Sequence, residues 1–202
     1  MIRQALELVR SELEFYVAQN SASIPEPNTN ASVTLGNISL AESEPDRLKN
    51  GVVISLVNIE EERTLKNKLS YARSPITGNL EYFNPPVNLN LYLLFTGLNK
   101  EGQYEIGLEL LSLVLRFFQG RTIFTLNNSV NTSPTEELSS LRLLFSLYTM
   151  TFEQLNHLWG SLGGKQLPHV LYRVWLVEER DQRPIQSGEV ITEIEGNLSA
   201  SK

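Results

Sequence analysis

The chain has 202 residues, 17 Lys and Arg against 23 Asp and Glu, a formal net charge of −6 and no cysteine. That length suffices for one sizeable core. The acidic balance argues against general nucleic-acid binding, which needs a concentrated basic face, and the missing thiol excludes disulfides, thiolate nucleophiles and Cys-type zinc sites.

MIRQALELVRSELEFY at the start interrupts its apolar positions with Arg3, Glu7, Arg10 and Glu12. It therefore lacks the unbroken apolar stretch of a secretory signal, and no later run reaches the roughly 18–20 residues of a membrane span. The expected setting is the cytosol, where the N-x-[ST] sequons at Asn30, Asn37, Asn127, Asn131 and Asn197 carry no meaning. Ile2, Ala5, Leu6, Val9, Leu13, Tyr16 and Val17 fall on one stripe at helical spacing, which predicts an amphipathic helix over residues 2–17. A proline-containing loop at 21–30 and a short strand at Val33-Thr34-Leu35 follow.

GVVISLVNI, residues 51–59, is apolar on both faces and predicts a strand covered on both sides. RTLKNKLSYAR, residues 63–73, carries Arg63, Lys66, Lys68 and Arg73 with no acid. In an acidic chain this run is either a solvated loop or a docking surface for an acidic protein partner. NPPVNLNLYLLFTG, residues 84–97, is a strand whose start is set by Pro85 and Pro86, since neither can donate a ladder hydrogen bond. Val87, Leu89, Leu91, Leu93 and Phe95 should face the core, with Asn88, Asn90 and Tyr92 opposite.

Residues 103–119 predict a helix with two apolar stripes, one of Tyr104, Leu108, Leu111, Leu115 and Phe118, the other of Ile106, Leu110, Leu113 and Phe117. A helix lying on one sheet face needs only one such stripe. The second is covered either by other parts of the chain or by a neighbouring subunit. A short strand at Thr122–Leu126, a polar loop and an alternating strand at 141–149, with Leu141, Leu143, Phe145 and Leu147 on one face, come next. Thr151 and Gln154 have capping-box spacing and open a helix with Phe152, Leu155, Leu158, Trp159 and Leu162 inward; Gly163-Gly164 ends it. Val170–Val177 predicts a buried strand, and Glu189–Ile194 an edge strand in the tail. The sum is one α+β domain over 1–180, with a mixed or antiparallel sheet and three main helices, and a C-terminal extension over 181–202.

No constellation carries chemistry. GSLGGK at 160–165 has the wrong spacing for a phosphate loop and follows a helix rather than a strand. His157 and His169 lack metal-ligand spacing, and no nucleophile elbow or dinucleotide fingerprint is present. A paired-carboxylate site would require the fold to bring acids such as Glu60-Glu61-Glu62 and Glu178-Glu179 together. No catalytic residue, metal or cofactor is expected.

Three segments carry a resemblance: NPPVNLNLYLLFTG with the apolar helix after it, TFEQLNHLWGSLGG, and LPHVLYRVWLVEE, preceded by the helix IRQALELVRSEL. Together they resemble the cap, or tail-terminator, proteins of extracellular contractile injection systems, the phage-tail-like particles that include antifeeding prophages and virulence cassettes. The resemblance spans most of residues 1–180. It implies a tail-terminator α+β fold, a six-fold ring of identical subunits on the end of an inner tube, contact with tube and sheath proteins, and no catalytic residues. In that setting Arg63, Lys66, Lys68 and Arg73 are candidate partner-docking residues, and Ile106, Leu110, Leu113 and Phe117 candidate subunit-interface residues. The particle would be assembled in the cytoplasm. A monomeric assembly chaperone or adaptor, and an orphan hydrolase working through clustered acids, are the alternatives.

Overall fold

The computed structural model describes residues 2–20, 32–41, 51–62, 71–73, 79–82, 88–98, 104–125, 129, 141–177 and 186–188. Its backbone is a long antiparallel pair. β2 (Gly51–Glu61) runs against β5 (Leu89–Leu98) from Gly51 opposite Leu98 to Glu61 opposite Leu89. β1 (Ser32–Leu35) pairs parallel to β2, while β8 (His169–Val177), β7 (Arg142–Leu147) and β6 (Ile123–Thr125) extend the sheet antiparallel from β5. The spatial order is β1-β2-β5-β8-β7-β6, a six-stranded mixed sheet.

Two layers cover this sheet. On one face lie α1 (Ile2–Asn20) and α2 (Tyr104–Gly120), over a core that includes Val52, Ile54, Leu91, Leu93, Phe95, Phe124, Phe145 and Tyr172. On the other face a smaller cluster of Ile38, Val53, Leu94, Trp159 and Leu171 sits under a 3-10 turn (Ile38–Leu40) and α3 (Phe152–Ser161). The architecture is the α+β domain with three helices and a mixed sheet that the periodicities predict. Thr151 accepts from the Gln154 N–H, and the Gln154 side chain accepts from the Thr151 N–H, completing the capping box that starts α3. The helix ends as Gly163 and Gly164 take φ of 109° and 82°, a region that other residues rarely enter.

Strand β5 shows why a glycine stands next to its last residue. A Cβ built on Gly97 would lie 2.6 Å from the backbone oxygen of Gly107 in α2. Strand and helix meet backbone to backbone there, and only hydrogen side chains permit it. Residues 84–87, including both prolines, lie outside the described residues. Leu91, Leu93 and Phe95 are fully buried, as the alternation predicts. On the opposite face Asn88 and Asn90 are buried as well, 5% and 8% exposed. Asn90 donates to Glu62 Oε2 at 2.7 Å, and the Asn88 carbonyl accepts from the Glu62 N–H at 2.8 Å.

Strand β2 is buried on both faces only over Gly51–Ser55; from Asn58 onward it projects past its cover, and Ile59 is 45% exposed. Between the two halves the register slips: Leu56 opposes Leu93 and Asn58 opposes Tyr92, so Val57 is an extra, bulged residue. Leu147 and Phe152, both expected inward, are also exposed. Leu147, beyond the part of β7 paired to β6, is 58% exposed, and Phe152, the first residue of α3, is 91% exposed rather than inward. A second sheet of three short strands, β3 (Tyr71–Arg73), β4 (Leu80–Tyr82) and β9 (Gln186–Gly188), has β4 at its centre. Residues beyond 180 thus return to pair with the middle of the chain. The edge strand expected at Glu189–Ile194 lies outside the described residues.

Candidate assembly surfaces

Among the described residues no three His, Asp or Glu side chains cluster in a way that could hold a metal. His157 is exposed on α3. His169 is half-buried, with Nδ1 2.8 Å from the Leu167 carbonyl and its ring edge-on to Trp159 at 5.2 Å, a packing role. The GSLGGK stretch caps a helix: the Leu162 and Gly164 N–H groups both donate to the Trp159 carbonyl, at 3.2 and 2.7 Å. No described helix is long and apolar enough to cross a membrane.

The surfaces that remain are apolar and charged. On α2 the candidate interface stripe of Ile106, Leu110, Leu113 and Phe117 is covered by the chain itself, each residue 8% exposed or less. Helix α1 does this, with Tyr16 tilted against Phe117 at a centroid distance of 5.2 Å. The apolar arc of α2 is nevertheless wider than its covered arc. At about 100° per residue, Tyr104, Leu108 and Leu115 lie just beyond Leu111 and Phe118, and they are 64%, 42% and 38% exposed. The exposed apolar surface of α2 thus lies on the edge of the first stripe, and not on Ile106, Leu110, Leu113 and Phe117, the stripe taken as the candidate subunit interface. Nothing in the periodicity alone decides which stripe α1 covers.

Of the basic run, Arg63, Lys66 and Lys68 lie outside the described residues; Arg73 ends β3, in register with Leu80. On the same small sheet Tyr71 and Tyr82 form an exposed ring pair 6.2 Å apart. An ion pair that the sequence reading missed holds α1 to the far end of α2. Glu12 is 5% exposed, accepts from Arg121 Nη1 at 2.8 Å, and the Arg121 guanidinium lies 4.4 Å over the Phe124 ring. The signal was available: Glu12 occupies the i+3 and i+7 position of the buried Val9 and Ala5 series, where an acid must find a partner.

The third surface is a groove of about 250 Å³ on the α3 face of the sheet, where Val57, Asn58, Glu60 and Tyr92 face Tyr148, Met150 and Leu158. Tyr92 and Tyr148 meet edge to face at 5.2 Å. Tyr92 Oη donates to Glu60 Oε2 at 2.8 Å, and Asn58 Nδ2 donates to Glu60 Oε1 at 3.1 Å. Desolvation, reinforced by the bond to the Glu60 carboxylate, pushes the Tyr92 phenol up to about 12.

Comparison with known proteins decides the family. The model of the Pvc16 N-terminal domain matches residues 6–193. The chain belongs to that family. A solved structure described as the sheath/tube terminator of an extracellular contractile injection system, PVC, in the extended state, is similar over 100% of this chain and 64% of its own, with 15% identity and a TM-score of 0.62. The anti-feeding prophage cap, described as a tube-terminating cap, is similar over 73% of this chain and 49% of its own, with 15% identity and a TM-score of 0.50. At such identity the likeness establishes the shared fold, and the chain spans less than two thirds of either relative. No curated protein matches. The three helices on a mixed sheet are thus the fold shared with the terminator structure.

Proposed function

We propose that this chain is a structural, non-enzymatic component of an extracellular contractile injection particle, forming a ring of six copies that caps the inner tube and meets the sheath. The observation that carries the reading is the similarity of the whole chain to a sheath/tube terminator, within the Pvc16 N-terminal domain family. A helical tube presents the same surface on its last ring as on every earlier one, so growth has no intrinsic stop. A closed ring that matches the tube on one face and offers no tube site on the other supplies that stop without chemistry.

In the ring, neighbouring copies bury the apolar overhang of Tyr104, Leu108 and Leu115 on α2, which the domain's own core leaves in water. The basic residues Arg63, Lys66, Lys68 and Arg73 dock acidic groups of tube or sheath. Light scattering coupled to size-exclusion chromatography tests the ring: the reading expects about six times the 22.8 kDa chain mass. Leu108→Glu should dissociate it. A protein that stays monomeric, alone and with purified tube, would favour an assembly adaptor instead.

A further inference from the structure

We infer that the groove between β2, β5 and α3 is a socket for one arginine side chain of a partner polypeptide. Backbone geometry is the first argument. Without the bulge at Val57, residues 58 and 60 would keep the parity of Leu56 and Ile54 and point toward α1 and α2. With it, Val57, Asn58 and Glu60 all turn to the groove, alongside Tyr92. Bulges of this kind re-aim side chains, and this one brings a carboxylate to the rim of an apolar pocket.

The lining is the second argument. Val57, Leu158 and Leu171 make an apolar floor, and Met150 a deformable wall. Tyr92 and Tyr148 both line the groove and stand edge to face at 5.2 Å, so it is walled by aromatic rings of the kind that attract a planar cation. Glu60 is held from both sides, by Tyr92 Oη at 2.8 Å and Asn58 Nδ2 at 3.1 Å, so its carboxylate is oriented before anything binds. It has no cationic partner among the described residues. Gln154, on the same wall, has its Oε1 engaged by the Thr151 N–H and does not compete for the cation.

Charge and size select the occupant. Among the described residues that line the groove, Glu60 is the one charged side chain, and no base stands beside it in the lining. A volume of about 250 Å³ takes one long side chain and not a whole peptide. Arginine fits best: its stem covers the apolar floor, its planar guanidinium stacks on a tyrosine and forks onto a carboxylate, and it sheds water more readily than an ammonium. The socket is formed within one chain and does not depend on the ring.

The chain has two methionines, Met1 and Met150, so ¹³C-methyl labelling gives two signals, of which that of Met150 reports on the groove it lines. The full-length protein is titrated with a blocked glycine-serine pentapeptide carrying a central arginine. The Met150 signal should shift saturably. A norleucine peptide should leave it unmoved, and a lysine peptide should bind several-fold more weakly. Glu60→Gln, which retains an acceptor for Tyr92, should weaken arginine-peptide binding by about tenfold, in line with loss of a charge-assisted hydrogen bond. An unmoved Met150 up to about 10 mM peptide, the weak-binding limit for a single side chain, would overturn the proposal. So would equal shifts from the norleucine peptide, or affinity unchanged in Glu60→Gln.

Discussion

Replacing Gly97 by alanine tests the packing on which the fold rests. The added Cβ would lie 2.6 Å from the Gly107 oxygen and 3.1 Å from its carbonyl carbon and Cα, all backbone atoms. Ordinary contact begins near 3.4 Å, so α2 must move away from β5 by several tenths of an ångström along its length. That movement would loosen Leu110, Val114 and Phe118 against Leu93 and Phe95, in an interior already at crystal-like density. Overpacking of this kind costs about 1–3 kcal/mol. In a chain of this size each kcal/mol lowers the melting temperature by roughly 2–4 °C, so a fall of about 2–12 °C is expected. Gly120→Ala is the control, because a Cβ there meets nothing within 4 Å. Urea denaturation and thermal melts followed by circular dichroism should show Gly97→Ala clearly destabilised and Gly120→Ala neutral or slightly stabilised. Equal stability of the two variants would refute the backbone contact between α2 and β5.

Leu91→Ala removes a fully buried side chain and should cost about 2–5 kcal/mol. Asn90→Ala removes one hydrogen bond to Glu62 and should cost less, about 1–2 kcal/mol; the reverse order in urea titrations would show that the strand faces are misassigned. Arg121→Met breaks the ion pair to buried Glu12. It should cost about 2–4 kcal/mol, below the full value for a buried pair because Arg121 is partly exposed; unchanged stability would contradict the anchoring of α1. Tyr92 should ionise late, near pH 12, in ultraviolet phenolate titrations compared with Tyr92→Phe. Its folded pKa lies above the ordinary tyrosine value, so its contribution to stability is complete below about pH 10 and is lost as pH rises through about 12. Ionisation near pH 10 would contradict both the desolvation of Tyr92 and its bond to Glu60.

The elements that sequence made legible are those governed by local periodicity and capping. The stripe of α1, the alternation of Leu91, Leu93 and Phe95, and the Thr151–Gln154 capping box all follow from rules that act within a few residues. What escaped depends on contacts distant in the chain. Phe152 was expected inward because it continues the apolar period of α3, yet as the first residue of the helix it faces water. Asn90, on the strand face opposite the core, is buried with its amide bonded to Glu62, 28 positions away in the chain. The bulge at Val57 leaves no mark in GVVISLVNI, since its residues are good strand formers in either register. The pairing of β9 with β4 joins residues about a hundred positions apart, beyond any local signal. The family was legible before the fold, through a combination of segments none of which is specific alone.

The central claim is that this chain ends the growth of a tube, and particle morphology tests it most directly. Electron microscopy of injection particles from a strain lacking only this gene, compared with the complemented strain, measures tube length and the density at the tube end. The account predicts uncapped particles of irregular length or particles that fall apart, with uniform capped particles restored on complementation. Capped particles of uniform length in the deletion strain would contradict it.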